Sequence, residues 1–236
     1  MAGGKVARGV NALYLNFVRI FRGRGLEEMA GALITGMRET VMATQNQFIR
    51  VRAAAVRFNG GAVLLPSPPQ PHLSGLAAAL ASKGGAYLGD EIVKIDPIEH
   101  LAHGVDLPLV VDSSDLSLFP ELKRTPAKRS SRERHRDAIT PRQPVTIDEL
   151  GARFGEPAPV QWIIFPTFEP GAETSIESIA ASTALFRFTV AGLNLHIWGD
   201  RALILMRQLL EEANIAEMTV GSIPQAADLI ARTVLA

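Results

Sequence analysis

Residues 60–93 constrain this chain most, because a strand, a loop, a helix and a second strand follow there in close order. Gly61-Ala62-Val63-Leu64-Leu65-Pro66 is a wholly apolar run entered through Asn59-Gly60, which predicts a buried strand after a tight turn. Gly75-Leu76-Ala77-Ala78-Ala79-Leu80-Ala81 predicts the first turns of a helix, with Ser74 placed to cap it and Gly84-Gly85 to end it. Tyr87-Leu88-Gly89-Asp90-Glu91-Ile92-Val93 predicts a second strand carrying two adjacent acids. A strand that feeds through a loop into an apolar helix commits the domain to an α/β architecture with a central mixed sheet.

The loop inside that frame stands where a phosphate-binding loop would read G-x-x-x-x-G-K-[ST]. There the glycines let backbone N–H groups close on the phosphates and the lysine neutralises them. The eight positions here are Ser67-Pro68-Pro69-Gln70-Pro71-His72-Leu73-Ser74. Both glycines are replaced, the lysine position holds Leu73, and three prolines have no N–H to donate. The frame is kept and its phosphate chemistry is not.

At 236 residues, 47% apolar and 20% charged, the chain can bury the core of one domain with an appendage. No apolar run reaches the length of about 20 residues that spans a bilayer. Met1-Ala2-Gly3-Gly4-Lys5 is followed by no apolar core and cleavage site, so no secretory signal is expected. The absence of cysteine excludes disulfides, thiolate metal sites and cysteine nucleophiles, and a cytoplasmic location is the expectation. Net charge is zero, yet residues 1–60 hold nine Lys/Arg against three Asp/Glu, and residues 121–142 hold eight against three. Two basic segments therefore sit on an acidic body, which they either neutralise or extend as a docking surface for an acidic partner.

Residues 7–23 predict a basic amphipathic helix, and a second helix is expected over 26–44, so that 1–45 forms a basic helical N-terminal segment ahead of a domain at 46–236. Leu13, Phe17, Arg19, Phe21 and Arg22 on the first helix are the candidate partner-binding residues. A helix of this kind more commonly packs on protein than on anionic lipid. Strands are expected over 47–58, 107–111 and 160–166, an exposed basic loop over 121–144, and helices over 175–185, 202–213 and from 222 onward. His196 is expected on a strand. Glu99, His100, His103 and Asp106 have metal-donor side chains but no helix to hold the histidines in register, so no metal is expected. The basic stretch 123–136 lacks interleaved aromatics, so no nucleic-acid partner is expected.

The quoted frame, extended by Ala53-Ala54-Ala55-Val56, Lys83-Gly84, Ile164-Phe165-Pro166 and Pro170-Gly171-Ala172, resembles the nucleotide-binding core of the HPr kinase/phosphorylase family. It is most similar to the smaller HPr-kinase-like proteins found with peptide-maturation systems, which share the phosphoenolpyruvate-carboxykinase-type fold. The resemblance implies that fold over 46–236. It also implies that the family's loop glycines fall on Ser67 and His72, its lysine on Leu73 and its metal-binding hydroxyl on Ser74. The acids beside metal and phosphoacceptor fall on Asp90 and Glu91, and a core-strand histidine falls on Arg52. Only Ser74, Asp90 and Glu91 keep the family's residue types. Each lost charge-assisted contact costs about 1.5–3 kcal/mol, and about 4 kcal/mol already weakens nucleotide a thousandfold.

These residues point to a catalytically inactive member, a pseudokinase that binds a protein partner or assembles into a homo- or hetero-oligomer and needs no cofactor. A regulatory or scaffolding subunit, beside an active paralogue or in peptide maturation, fits that role. Two alternatives stand beside it. One is a divergent ATP- and Mg-dependent serine kinase that draws a basic residue from Arg52 or from 123–136. The other is a binding module for a small acidic or peptide ligand.

Overall fold

The computed structural model describes residues 9–15, 17–122 and 142–235. In chain order the elements are β1 (Asn11–Leu15), β2 (Val18–Gly23), α1 (Leu26–Thr44), β3 (Ile49–Phe58), β4 (Gly61–Pro66), α2 (Leu73–Ser82), β5 (Ala86–Gly89), β6 (Ile92–Ile95) and β7 (Leu101–His103). They continue with β8 (Leu109–Asp112), β9 (Arg142–Val145), β10 (Ala158–Phe168), β11 (Ser175–Ser178), α3 (Ala181–Ala191), α4 (Leu195–Trp198), α5 (Asp200–Glu212), β12 (Asn214–Val220) and α6 (Ile223–Leu235).

Eight strands form one mixed sheet in the order β11-β12-β10-β4-β3-β6-β7, with β5 also on β3. β4, β10 and β12 run parallel, as chains must when they return through helices; β3 and β4 are an antiparallel hairpin. Its two turn residues, Asn59 and Gly60, both have positive φ (45° and 88°), the conformation an Asn-Gly hairpin turn demands. At the other edge β7 pairs back onto the start of β10, so β10-β4-β3-β6-β7 closes on itself. Central strands with helices on both faces are apolar on both faces, and every residue of β4 is buried. One core joins Val56, Val63, Leu65 and Ile164 to α2 and α6; the other joins Ala55, Leu64, Ile163 and Phe165 to α3 and α5. The result is three layers, helix–sheet–helix. Among the described residues no helix is long and apolar enough to cross a membrane.

Several expectations are corrected. Of the helix expected over 7–23, residues 7, 8 and 16 lie outside the described residues, and 11–15 and 18–23 are two antiparallel strands instead: Leu13 and Leu15 alternate with exposed Ala12 and Tyr14, a period of two that the dense apolar content had masked. The hairpin packs on α1, where Gly36 admits Leu15 and Ile20. Residues 175–178 form the edge strand β11 before the helix begins at Ala181. His196 lies on the short helix α4. The acidic strand is two strands, with Asp90 and Glu91 at the corner between β5 and β6. Of the predicted loop 121–144, residues 123–141 lie outside the described residues, and its end is strand β9, paired with β8.

Candidate functional site

β4 delivers the chain to the loop 67–72, and α2 starts at Leu73. In this loop several donors are already engaged. The Ser67 N–H donates to the Arg52 carbonyl (3.2 Å), and the His72 N–H donates to Asp112 Oδ2 (3.2 Å). Gln70 Nε2 donates to Ser67 Oγ and to the Pro166 carbonyl, while Ser67 Oγ donates to the Pro68 carbonyl (2.9 Å). Leu73, at the lysine position, is buried in the core. His72 rather than Ser74 precedes the first helical residue, in left-handed backbone at φ 74°, a conformation that glycine adopts at lower cost. Ser74 is therefore not the helix cap; its Oγ accepts from Arg142 Nη2 at 3.2 Å.

Asp90 and Glu91 face a pair of arginines. Arg38, buried on α1, sets Nη2 3.0 Å from Asp90 Oδ1 and Nη1 2.9 Å from Glu91 Oε2, and also donates to the Pro108 carbonyl (2.9 Å). Asp90 further accepts from the Tyr87 hydroxyl (2.8 Å) and the Val110 N–H (3.4 Å). Burial, followed by the Asp90 carboxylate, pushes the Tyr87 phenol well above its ordinary pKa, so it remains a donor. Burial works against the Arg38 charge, but Asp90, Tyr87 and Glu91 outweigh it and raise its pKa above the ordinary arginine value. On the far side Arg142 Nη1 lies 2.6 Å from Glu91 Oε1, with Nε 3.7 Å from Asp112 Oδ1. For Glu91 burial pulls upward, yet Arg142 and Arg38 together hold the carboxyl below its ordinary value.

These groups line a cavity of about 560 Å³, whose wall also includes Arg52, Gln70, Leu73 and the loop prolines Pro68, Pro69 and Pro71. Among the described residues Arg52 has no ion-pair partner. Next to it lies a second group: His72 Nδ1 is 2.7 Å from Asp115 Oδ1, and Burial raises the Asp115 carboxyl despite the opposing His72 contact. A smaller cavity of about 250 Å³ borders His72, Ser114, Asp115, Phe168 and Ser222.

The structure thus brings Arg52, Ser74, Asp90 and Glu91 to one cavity, with Leu73 in its wall and Ser67 and His72 beside it. Leu13, Phe17, Arg19, Phe21 and Arg22 are remote from the cavity's walls, on the hairpin, where Phe17, Arg19 and Arg22 are exposed and Leu13 and Phe21 half-buried. Glu99, His100, His103 and Asp106 do not converge: His100 meets Glu212 (3.5 Å) and His103 stacks near Phe48. Sequence reasoning missed Arg38, Gln70, Asp112, Asp115 and Arg142. Asp112 alone carried a local signal, an acid ending the apolar strand run Leu109-Val110-Val111; the arginines arrive from sequence-distant elements. No protein-family model matches this chain, and no curated protein matches it.

Proposed function

We propose that the chain is a non-catalytic protein of the HPr-kinase-like, phosphoenolpyruvate-carboxykinase-type fold, which acts by binding another polypeptide. The observation that carries this is the Arg142 guanidinium, which bonds Glu91 and Ser74 and lies against Asp112. By the resemblance, Ser74 and the acids are the groups that would hold a metal–phosphate cluster. A cation in their midst offsets their charge without any bound metal, and in the loop Ser67 and Gln70 bond to each other and to backbone carbonyls. Phosphoryl transfer depends almost wholly on positioning and charge stabilisation of the phosphates, and neither is provided here.

A protein-binding role draws support from the N-terminal hairpin, which presents Tyr14, Phe17 and Val18 to solvent beside Arg19 and Arg22. Exposed aromatic and aliphatic side chains with arginines are the composition of protein interfaces. Calorimetric titration with Mg·ATP and Mg·GTP is expected to give no heat of binding at micromolar nucleotide. Saturable, magnesium-dependent binding would sink the non-catalytic reading. A second reading, a site for a small acidic ligand, is favoured by Arg52 in the cavity wall, which has no ion-pair partner among the described residues; a rise in melting temperature with a dicarboxylate, abolished in Arg52→Gln, is its signature.

A further inference from the structure

We propose that His72, Asp112 and Asp115 form a binding site for one divalent transition-metal ion. One ligand atom from each lies within 4.8 Å of the other two, close enough for side-chain rotation to gather all three on a single cation. An imidazole nitrogen with two carboxylate oxygens suits Zn²⁺ or Mn²⁺, whereas Mg²⁺ and Ca²⁺ favour all-oxygen shells. Two carboxylates and a neutral imidazole also balance the charge of such an ion.

An independent observation points to a missing ligand. Asp115 is only 4% exposed, yet its Oδ2 has no hydrogen-bond partner. A buried carboxylate oxygen without a donor is costly, and a cation supplies what hydrogen bonds do not. A Cβ on Gly75, at the start of α2, would stand 2.5 Å from that oxygen, so glycine there leaves the carboxylate its room. The remaining contacts of the cluster are compatible. Asp115 Oδ1 accepts weakly from Ser114 Oγ (3.4 Å), and Asp112 Oδ2 accepts the His72 N–H while Oδ1 faces Arg142 at 3.7 Å. Binding the ion would displace the hydrogen bond between His72 Nδ1 and Asp115 Oδ1, and Asp115 Oδ2, which has no donor, is the oxygen left free to ligate it. Three protein ligands leave coordination positions open, and the adjoining cavity of about 250 Å³ has room for water or an oxygen-donor ligand there. Such an ion would tie the loop to the segment after β8. Its presence goes beyond the protein-binding function, which requires no metal.

The test is calorimetric titration of the metal-stripped full-length chain with ZnCl₂ and MnCl₂, with MgCl₂ for comparison. One Zn²⁺ or Mn²⁺ per chain is expected at roughly micromolar Kd or tighter, with Mg²⁺ at least about a hundredfold weaker. His72→Gln and Asp115→Asn should each weaken binding by about tenfold or more. His72 is a partly exposed loop side chain, so its variant should keep the fold, and near-UV circular dichroism of both variants verifies this. Absence of saturable Zn²⁺ and Mn²⁺ binding, or wild-type affinity in a folded His72→Gln or Asp115→Asn chain, overturns the site.

Discussion

Replacing Arg38 with methionine tests whether the acidic corner is held by buried ion pairs. Arg38 is 3% exposed and Asp90 1% exposed, so neither charge has water as an alternative partner. In the variant Asp90 keeps only the Tyr87 hydroxyl at 2.8 Å and the Val110 N–H at 3.4 Å, and the Pro108 carbonyl loses its donor. Removing one member of a buried pair costs about 3–5 kcal/mol, because a desolvated charge is left behind. For a chain of this size each kcal/mol lowers Tm by roughly 2–4 °C, so Tm should fall by about 6–20 °C. Urea unfolding of wild type, Arg38→Met, Asp90→Asn and the double variant closes a thermodynamic cycle. Neutralising Asp90 in the Arg38→Met background removes the stranded charge, so the double variant should be more stable than the sum of the single losses by about 1.5 kcal/mol or more. A loss under about 1 kcal/mol for Arg38→Met, or strict additivity, would refute the pairing argument.

The combined variant Ser67→Gly, His72→Gly and Leu73→Lys installs the phosphate-loop residue types; with Arg142 still in place it should not bind Mg·ATP by calorimetry, and adding Arg142→Ala should be the step that gives measurable affinity. Binding by the triple variant alone would show that Arg142 does not block the site. Glu91 has a folded pKa below its ordinary value of 4.5, so its pairing stabilises the protein fully above about pH 4.5 and the contribution is lost as pH falls through the depressed value. The stability difference between wild type and Glu91→Gln in urea unfolding should accordingly be fully present at pH 7 and shrink progressively as pH falls below about 4.5; a constant difference would contradict it. Deleting residues 1–24 should reduce the mass measured by light scattering, or abolish capture of a host protein, while the β3–α6 core still melts cooperatively. An unchanged mass and unchanged set of captured proteins argue against the hairpin as a contact. Gly104→Ala should cost about 1–3 kcal/mol in urea unfolding, since its Cβ would stand 2.4 Å from the Leu88 carbonyl oxygen; a neutral outcome would mean that β7 shifts freely.

Elements whose character is local were legible in the residues themselves. The β4–loop–α2 unit, the Asn59-Gly60 turn, β10, α5 and α6 announce themselves through apolar runs, turn residues and periodicity, and α1 appears at residues 26–44 as expected. The residue types of the loop are likewise local facts, because proline lacks a donor and leucine lacks a charge wherever the fold puts them. Tertiary structure decided what local pattern left degenerate. The segment 11–23 suits a helix by composition, and only packing of one alternating face on α1 selects the hairpin. The same holds at 175–178, where pairing with β12 makes a strand of residues that read as helical. The site was half visible: Ser74, Asp90, Glu91 and Arg52 lie in the β3–β6 unit, whose local frame brings them together. Their partners are Arg38, fifty-three residues before Glu91, and Arg142, sixty-eight residues after Ser74. A charge carries no mark in the sequence of which distant charge it will meet; packing of α1 and β9 against the acidic corner makes that choice, and joins Asp90, Glu91 and Ser74 to two arginines from distant elements.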